Sequence, residues 1–252
     1  MKKPCLVIDV GNSVLHWGLS LDGQHICETG KLRHRQAKEL VSSITTTLSQ
    51  PPQVLVASVN PKPMPMFREG LEKYGNIECL ELKAGSNWQP QVQVDHPGEV
   101  GVDRLINARA IKEDQPEGGI VVDHGTALTI DWVAAKGIYA GGVIVPGIMM
   151  STKALAEKTS LIPLVDFAKP ASVIGKNTAE CIRSGLYFGL VGLVQHLVAL
   201  IREQNNPHAP VIVTGGDAEF IVRECNFEST YCPLLTLQGM LKIGWDINFW
   251  SQ

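Results

Sequence analysis

One short pattern occurs twice in this chain, and it constrains the fold more than any other feature. Cys5 to Leu15 can be laid over Gly119 to Thr129 without a gap. Each copy has an apolar, β-branched run, an Asp-x-Gly turn (Asp9-Val10-Gly11, Asp123-His124-Gly125) and small polar residues. A second strand-like run follows, Val14 to Leu19 or Leu128 to Val133. A strand entering a glycine turn and a strand leaving it make a β-hairpin. Used twice, with Asp9 and Asp123 about half the chain apart, the hairpin implies a duplicated unit. The polar, Pro- and Gly-bearing stretch Lys112 to Gly118 is the natural boundary, so the expected domains are residues 1–118 and 119–252. A chain of 252 residues is also long for one domain of ~150.

Between the hairpins, helical and strand-like stretches alternate, which points to an α/β fold. Leu40, Val41, Ile44 and Leu48 form an apolar stripe that predicts a helix over Gln36 to Ser49. Gln53 to Val59 reads as a strand, Pro65 to Tyr74 as a helix, Asn76 to Leu82 as a strand and Asp103 to Glu113 as a helix. In the second half, Gly141 to Gly147 is a strand closed by Pro-Gly, and Ser151 to Lys158 is a short helix. Asn177 to Ile201 is a long helix broken or bent near its glycines, Pro210 to Ala218 holds a buried strand with a glycine turn, and Glu219 to Cys225 is helical.

Composition removes several function classes. With 22 Lys+Arg against 25 Asp+Glu, a net charge of −3 and no block of like charge, the chain lacks a basic face for nucleic acid. The run Cys5 to Ile8 meets Asp9 before a signal-peptide core can form. Gly185 to Ile201, interrupted by Gln195 and His196, falls short of the roughly 20 residues that span a bilayer and reads as a buried helix. Six scattered cysteines with no C-x-x-C pair predict reduced thiols and a cytoplasmic protein, and the dispersed histidines argue against structural zinc.

Asp9-Val10-Gly11-Asn12-Ser13 places a carboxylate at a strand end and polar side chains beside backbone donors, equipment for a phosphate and a hydrated magnesium, though Asp-x-Gly-Asn is also simply a good turn. Asp123-His124-Gly125-Thr126 offers the same; His124 reads as a solvated loop residue. Thr214-Gly215-Gly216-Asp217 is either a nucleoside seat or a plain strand-to-helix turn. Neither a P-loop nor a dinucleotide fingerprint is present. His96 to Arg104 delivers Asp103 and Arg104 to a helix start: the carboxylate can take a hydroxyl proton and the guanidinium can hold an anion, or the pair is a helix cap and a solvated charge. Gly175-Lys176-Asn177-Thr178 looks like a loop and cap with Thr178 available to a ligand.

The order of these motifs resembles the type III pantothenate kinase family of the acetate and sugar kinase, Hsp70 and actin superfamily. Its D-x-G-N-[TS], P-x-x-V-G-x-D-R, D-x-G-T-A-x-T-x-D, G-G-x-x-x-P-G and G-x-[NS]-T patterns stand here at Asp9 to Ser13, Pro97 to Arg104, Asp123 to Asp131, Gly141 to Gly147 and Gly175 to Thr178. The resemblance implies two ribonuclease-H-like (actin-like ATPase) halves with a nucleotide cleft between them, and phosphorylation of pantothenate by ATP with Mg²⁺. It implies Asp103 as general base. Pantothenate would be held by Gly101, Val102, Asp103, Arg104 and Thr178. The ATP phosphates would be held by Asp9, Val10, Gly11, Asn12, Ser13, Val14, Leu15, His16 and Thr126, with Asp9 orienting Mg²⁺ through water. It further implies a monovalent cation, K⁺ or NH₄⁺, at Asp123, and a homodimer whose contact includes the glycine-bearing helix around Gly185 to Ile201. Val94 and His96 stand where the family often has a tyrosine that contacts pantothenate and an asparagine. The competing expectations are a superfamily kinase with another acceptor and a non-enzymatic accessory protein.

Overall fold

The computed structural model describes residues 3–251 apart from 37–39, 41–43, 45–46, 74–76 and 217. Its strands are β1 (Cys5–Val10), β2 (Leu15–Ser20), β3 (Glu28–Leu32), β4 (Gln53–Ser58), β5 (Cys79–Leu82), β6 (Gly118–His124), β7 (Ala127–Ala134), β8 (Ile138–Pro146), β9 (Val211–Thr214) and β10 (Thr230–Tyr231). The helices discussed below are α1 (Met64–Glu72), α2 (Val102–Ile111), α3 (Ile148–Lys158), α4 (Thr178–Gln204), α5 (Glu219–Glu224) and α6 (Leu235–Asp246). By contacts the chain divides into two compact units: Met1–Pro116, Lys136–Tyr139 and Leu234–Gln252 form the first, Glu117–Ala135 and Ala140–Pro233 the second.

In the first unit the sheet order is β3-β2-β1-β4-β5. β1 runs antiparallel to β2 and parallel to β4, and β4 runs parallel to β5. Because side chains alternate along a strand, Leu6, Ile8 and Val10 of β1 share one face and bury with Val54 and Val56 of β4, Trp17 of β2, Leu40, Ile44 and the α1 residues Met64, Phe67 and Leu71. Leu40 and Ile44 belong to the stripe expected over Gln36 to Ser49; Val41 and much of that segment lie outside the described residues. So do Tyr74 and Asn76, at the ends of two expected elements.

In the second unit the order β10-β9-β6-β7-β8 repeats the first, with β6 central, antiparallel to β7 and parallel to β9. The duplicated hairpin is therefore the centre of a duplicated sheet. Ile120, Val122, Leu128 and Ile130 bury with Val194 and Val198 of α4, Val211 and Val213 of β9, and Phe220 and Ile221.

The strands of the first sheet all precede those of the second along the chain, but α6, which follows both, packs in the first unit. Leu235, Leu237, Met240, Leu241 and Ile243 are all buried there. Gly239 lets α6 approach α2 so closely that a Cβ would stand 2.8 Å from the Ile106 carbonyl oxygen. Arg109 of α2 then pairs with Asp246 of α6 and with Glu113, while Lys242 reaches the Ala110 carbonyl and Asp114.

α4 corrects two expectations. It is one continuous 27-residue helix, unbroken at its glycines. It is also not a buried helix: Ile182, Tyr187, Val194 and Val198 are buried, whereas Gly185, Gly189 and Gly192 are exposed, with open space where a Cβ would lie. By length and composition alone the whole of α4, longer than the run Gly185 to Ile201, is long and apolar enough to cross a membrane. Its apolar face meets the second unit's core.

Candidate functional site

The predicted residues fall into four groups, two in each unit. In the first unit Asp9, half-buried near the end of β1, lies opposite His16, and Val10 pairs with Leu15. The four residues between the strands are closed by the Gly11 N–H donating to the Val14 carbonyl at 3.0 Å, which leaves Asn12 and Ser13 exposed. His34 Nε2 donates to the Gly11 carbonyl at 2.9 Å, and since a carbonyl only accepts, this fixes the proton on Nε2. His16 is opposite Lys31 on its other side. Burial, and secondarily the Lys31 charge, lower its pKa to about 4, so the imidazole is neutral at pH 7 and adds no positive charge beside Asp9.

Gly101, Val102, Asp103 and Arg104 form the second group, at the start of α2. Gly101, not Asp103, takes the capping position, with no side-chain cap bond, which corrects the simple capping reading of Asp103. Asp103 Oδ1 instead accepts the Arg104 backbone N–H at 2.9 Å. A Cβ on Gly101 would stand 2.5 Å from that same oxygen, so only glycine leaves room for this carboxylate position. Burial pushes the Asp103 pKa up, and the Arg104 N–H and charge oppose it less strongly. The Arg104 guanidinium carbon lies 5.5 Å from the centroid of the Tyr139 ring, so Arg104 is not a freely solvated charge. Val94 is half-buried and His96 exposed on the approach to this turn.

In the second unit Asp123 of β6 pairs with Thr129 and lies beside Thr214 of β9. The Gly125 N–H donates to the Ala127 carbonyl at 2.9 Å, and the Gly147 N–H donates to the Thr126 carbonyl at 3.1 Å. Gly147 sits so close that a Cβ there would be 2.5 Å from both the Gly125 and Thr126 oxygens. Gly215, at φ +101°, passes the other side, where a Cβ would be 2.4 Å from the His124 oxygen. The hairpin is braced by backbone on both flanks. His124 is not a solvated loop residue: it is fully buried, and its ring meets Phe220 edge-on at 5.5 Å. Gly215 and Gly216 form the turn after β9, and Asp217 lies outside the described residues.

Thr178 stands on another element, as the exposed first residue of α4. Asn177 caps this helix by accepting the Glu180 N–H at 3.0 Å, while Glu180 accepts the Lys176 N–H at 2.7 Å, a reciprocal cap that fixes Thr178 at the helix start. A Cβ on Gly175 would stand 2.4 Å from the Cys181 nitrogen, so the loop and cap reading of this segment holds.

Two contributors carry no motif of their own. His34 is separated from Gly11 by two strands' worth of chain, and Tyr139 precedes the Gly141-Gly142 signature without being part of it. Only their register in the fold reveals them. Among the described residues no three His, Cys, Asp or Glu side chains converge into a metal site. Within the first unit, the Asp9 carboxylate at the end of β1, followed by the exposed polar side chains of Asn12 and Ser13, instead suits a hard cation held by one carboxylate, phosphate oxygens and water.

The sequence pattern of type III pantothenate kinases matches residues 5–200. A type III pantothenate kinase of Dehalococcoides mccartyi is 35% identical over 258 aligned positions, covering 98% of this chain and 99% of its own. One of Listeria monocytogenes is 33% identical over 254 positions, covering 93% and 94%. Two solved structures share the fold. A Campylobacter jejuni protein described as a Baf family transcriptional activator superposes with TM-score 0.65 at 21% identity, over 97% of this chain and 99% of that one. The Clostridium difficile activator of 2-hydroxyisocaproyl-CoA dehydratase, with bound ADPNP, does so with TM-score 0.55 at 14% identity, over 98% and 96%. The family pattern covers most of the chain, and the curated relatives align along nearly their whole length, so this chain belongs to the type III pantothenate kinase family.

Proposed function

We propose that this protein transfers the γ-phosphoryl group of ATP to the terminal hydroxyl of pantothenate, the entry step of coenzyme A synthesis. The observation that carries the reading is the Gly101–Arg104 turn, where a partly desolvated carboxylate with a raised pKa sits beside a guanidinium held on an aromatic ring. Asp103 takes the hydroxyl proton as the acceptor oxygen attacks phosphorus, and the bond to the ADP oxygen breaks. A carboxylate whose pKa is raised above its ordinary range is, in its ionised form, a stronger base. Arg104 holds the pantothenate carboxylate, helped by the Gly101 and Val102 backbone and by Thr178. Asp9 to His16 and Thr126 would bind the phosphates, and Asp9 would hold Mg²⁺ through water. Bound Mg²⁺ neutralises charge on the transferring group. Asp123 contributes to a K⁺ or NH₄⁺ site.

The exposed Gly185, Gly189 and Gly192 side of α4 supports a homodimer, because residues without side chains let two helices approach closely. All six cysteines are free thiols, which supports a cytoplasmic protein.

The test is an ADP-release assay with ATP, Mg²⁺ and K⁺, with and without pantothenate, and the phosphorylated product confirmed by mass. Pantothenate-dependent turnover is expected, and Asp103→Asn should lower kcat at least about 10²-fold with ATP binding retained. Near-wild-type turnover in that variant removes Asp103 as the base. No turnover from folded protein that still binds ATP would favour another acceptor or an accessory role. Replacing K⁺ by Na⁺ should abolish activity, and an unchanged rate would remove the monovalent-cation role.

A further inference from the structure

Tyr139 touches both ends of the segment that carries the proposed acceptor site, although it lies outside every motif of the sequence. It is the second residue of β8 and is 1% exposed. Its backbone makes a parallel bridge with Val92: the Tyr139 N–H donates to the Gln91 carbonyl at 2.9 Å, and the Tyr139 carbonyl accepts the Gln93 N–H at 2.8 Å. Gln91 to Gln93 is the entry to the segment, and Arg104 is its exit. The Arg104 guanidinium carbon stands over the Tyr139 ring, 5.5 Å from its centroid. All of these residues belong to the first unit.

We infer that Tyr139 is a positioning residue for the acceptor: its backbone clamps the entry of the segment while its ring holds the Arg104 guanidinium in the orientation that receives the substrate carboxylate. The inference rests on the reading of Arg104 as the carboxylate partner. A guanidinium held through its face keeps the in-plane N–H fork that pairs with a carboxylate, and it loses less freedom when the anion arrives. Here the half-buried Val94 supplies no hydroxyl on the approach to Gly101, so orientation of Arg104 by Tyr139 carries more of the recognition. The two backbone bonds do not depend on the side chain, so substitutions at 139 isolate the contribution of the ring.

The test measures KM for pantothenate and for ATP in a series at position 139. Tyr139→Met, which keeps bulk without a π face, should raise the pantothenate KM about three- to tenfold, the range expected of a lost cation–π contact, and leave the ATP KM within about twofold. Tyr139→Phe should restore the pantothenate KM to within about twofold of wild type. Phenylalanines at 139 carrying successively more fluorines keep the ring's shape and weaken its negative face, so the pantothenate KM should climb stepwise with fluorine number. This series decides the matter even if Tyr139→Met fails to fold. A flat pantothenate KM across the fluorinated series, or ATP and pantothenate KM values rising together, overturns the role of Tyr139. Arg104→Ala separates the two levels. A raised pantothenate KM in that variant beside a flat series at 139 sinks only the Tyr139 inference. An unchanged KM in Arg104→Ala removes the carboxylate reading and the inference with it.

Discussion

The two Asp-x-Gly hairpins share a sequence pattern, an antiparallel register and the central place in a five-stranded sheet, yet their surroundings hold them differently. The turn at Gly11 is closed by its own Val14 carbonyl, and its outward carbonyl is held by a side chain, the His34 imidazole. The turn at Gly125 is flanked by Gly147 and Gly215, whose backbones press against it with no space for a Cβ. A side-chain contact can yield by rotation about χ angles; a backbone packed on a backbone cannot. One duplicated motif has thus become an adjustable loop in the first unit and a fixed one in the second.

The largest expected effect breaks the fixed loop. Gly215→Ala places a side chain at φ +101° and 2.4 Å from the His124 oxygen, so both the residue's own backbone and its neighbour must move. A loss of about 2 kcal/mol or more is expected, read as a lowered melting temperature. Gly11→Ala meets only the Val14 oxygen at 3.2 Å and needs no left-handed backbone. Its loss should stay below about 1 kcal/mol. Equal damage from the two substitutions would refute the contrast between the loops.

A smaller effect sharpens the adjustable side. His34→Ala removes the donor from the Gly11 carbonyl, which water can then replace because the contact is only partly buried. A rise of about threefold in the KM for ATP is expected, the size of one ordinary hydrogen bond of about 0.5–1.5 kcal/mol, with little change in melting temperature. An unchanged ATP titration would show that the Gly11 turn supports itself.

The hairpins were legible because glycine turns and alternating apolar runs are local signals, and the start of α2 because Asp103 and Arg104 follow a Pro/Gly segment. What the sequence hid depends on partners distant along the chain. β3 is a polar edge strand, Glu28 to Leu32, with no buried residue to mark it. In α6, Leu235, Leu237, Gly239, Met240, Leu241, Ile243 and Gly244 are all buried, so apolar positions surround the helix and no stripe announces it. His124 looks like a loop residue because it follows Asp123, but Phe220 and the Gly215 turn enclose it. The apolar run of α4 reads as buried because hydrophobicity alone does not say whether a face meets its own chain.

The smallest expected effect concerns two titrating groups of the first unit that act on stability with opposite signs. His16 has a folded pKa of about 4, below its unfolded value near 6.5. Between those values the unfolded chain binds more protons than the folded one, so acidification from pH 6.5 towards 4 costs stability through His16. Asp103 has its folded pKa raised, so between the unfolded value near 3.8 and that higher folded value the folded state binds more protons. Acidification through that window relieves a cost that burial of this carboxylate imposes at higher pH. His16→Gln should therefore flatten the acid-side fall in melting temperature, and Asp103→Asn should raise the melting temperature at pH 7 while lowering kcat. Thermal melts of both variants at half-unit steps from pH 4 to 8 check the pair. A lower melting temperature for Asp103→Asn at pH 7 would mean that the ionised carboxylate stabilises the turn, contrary to a base kept in a costly environment for chemistry.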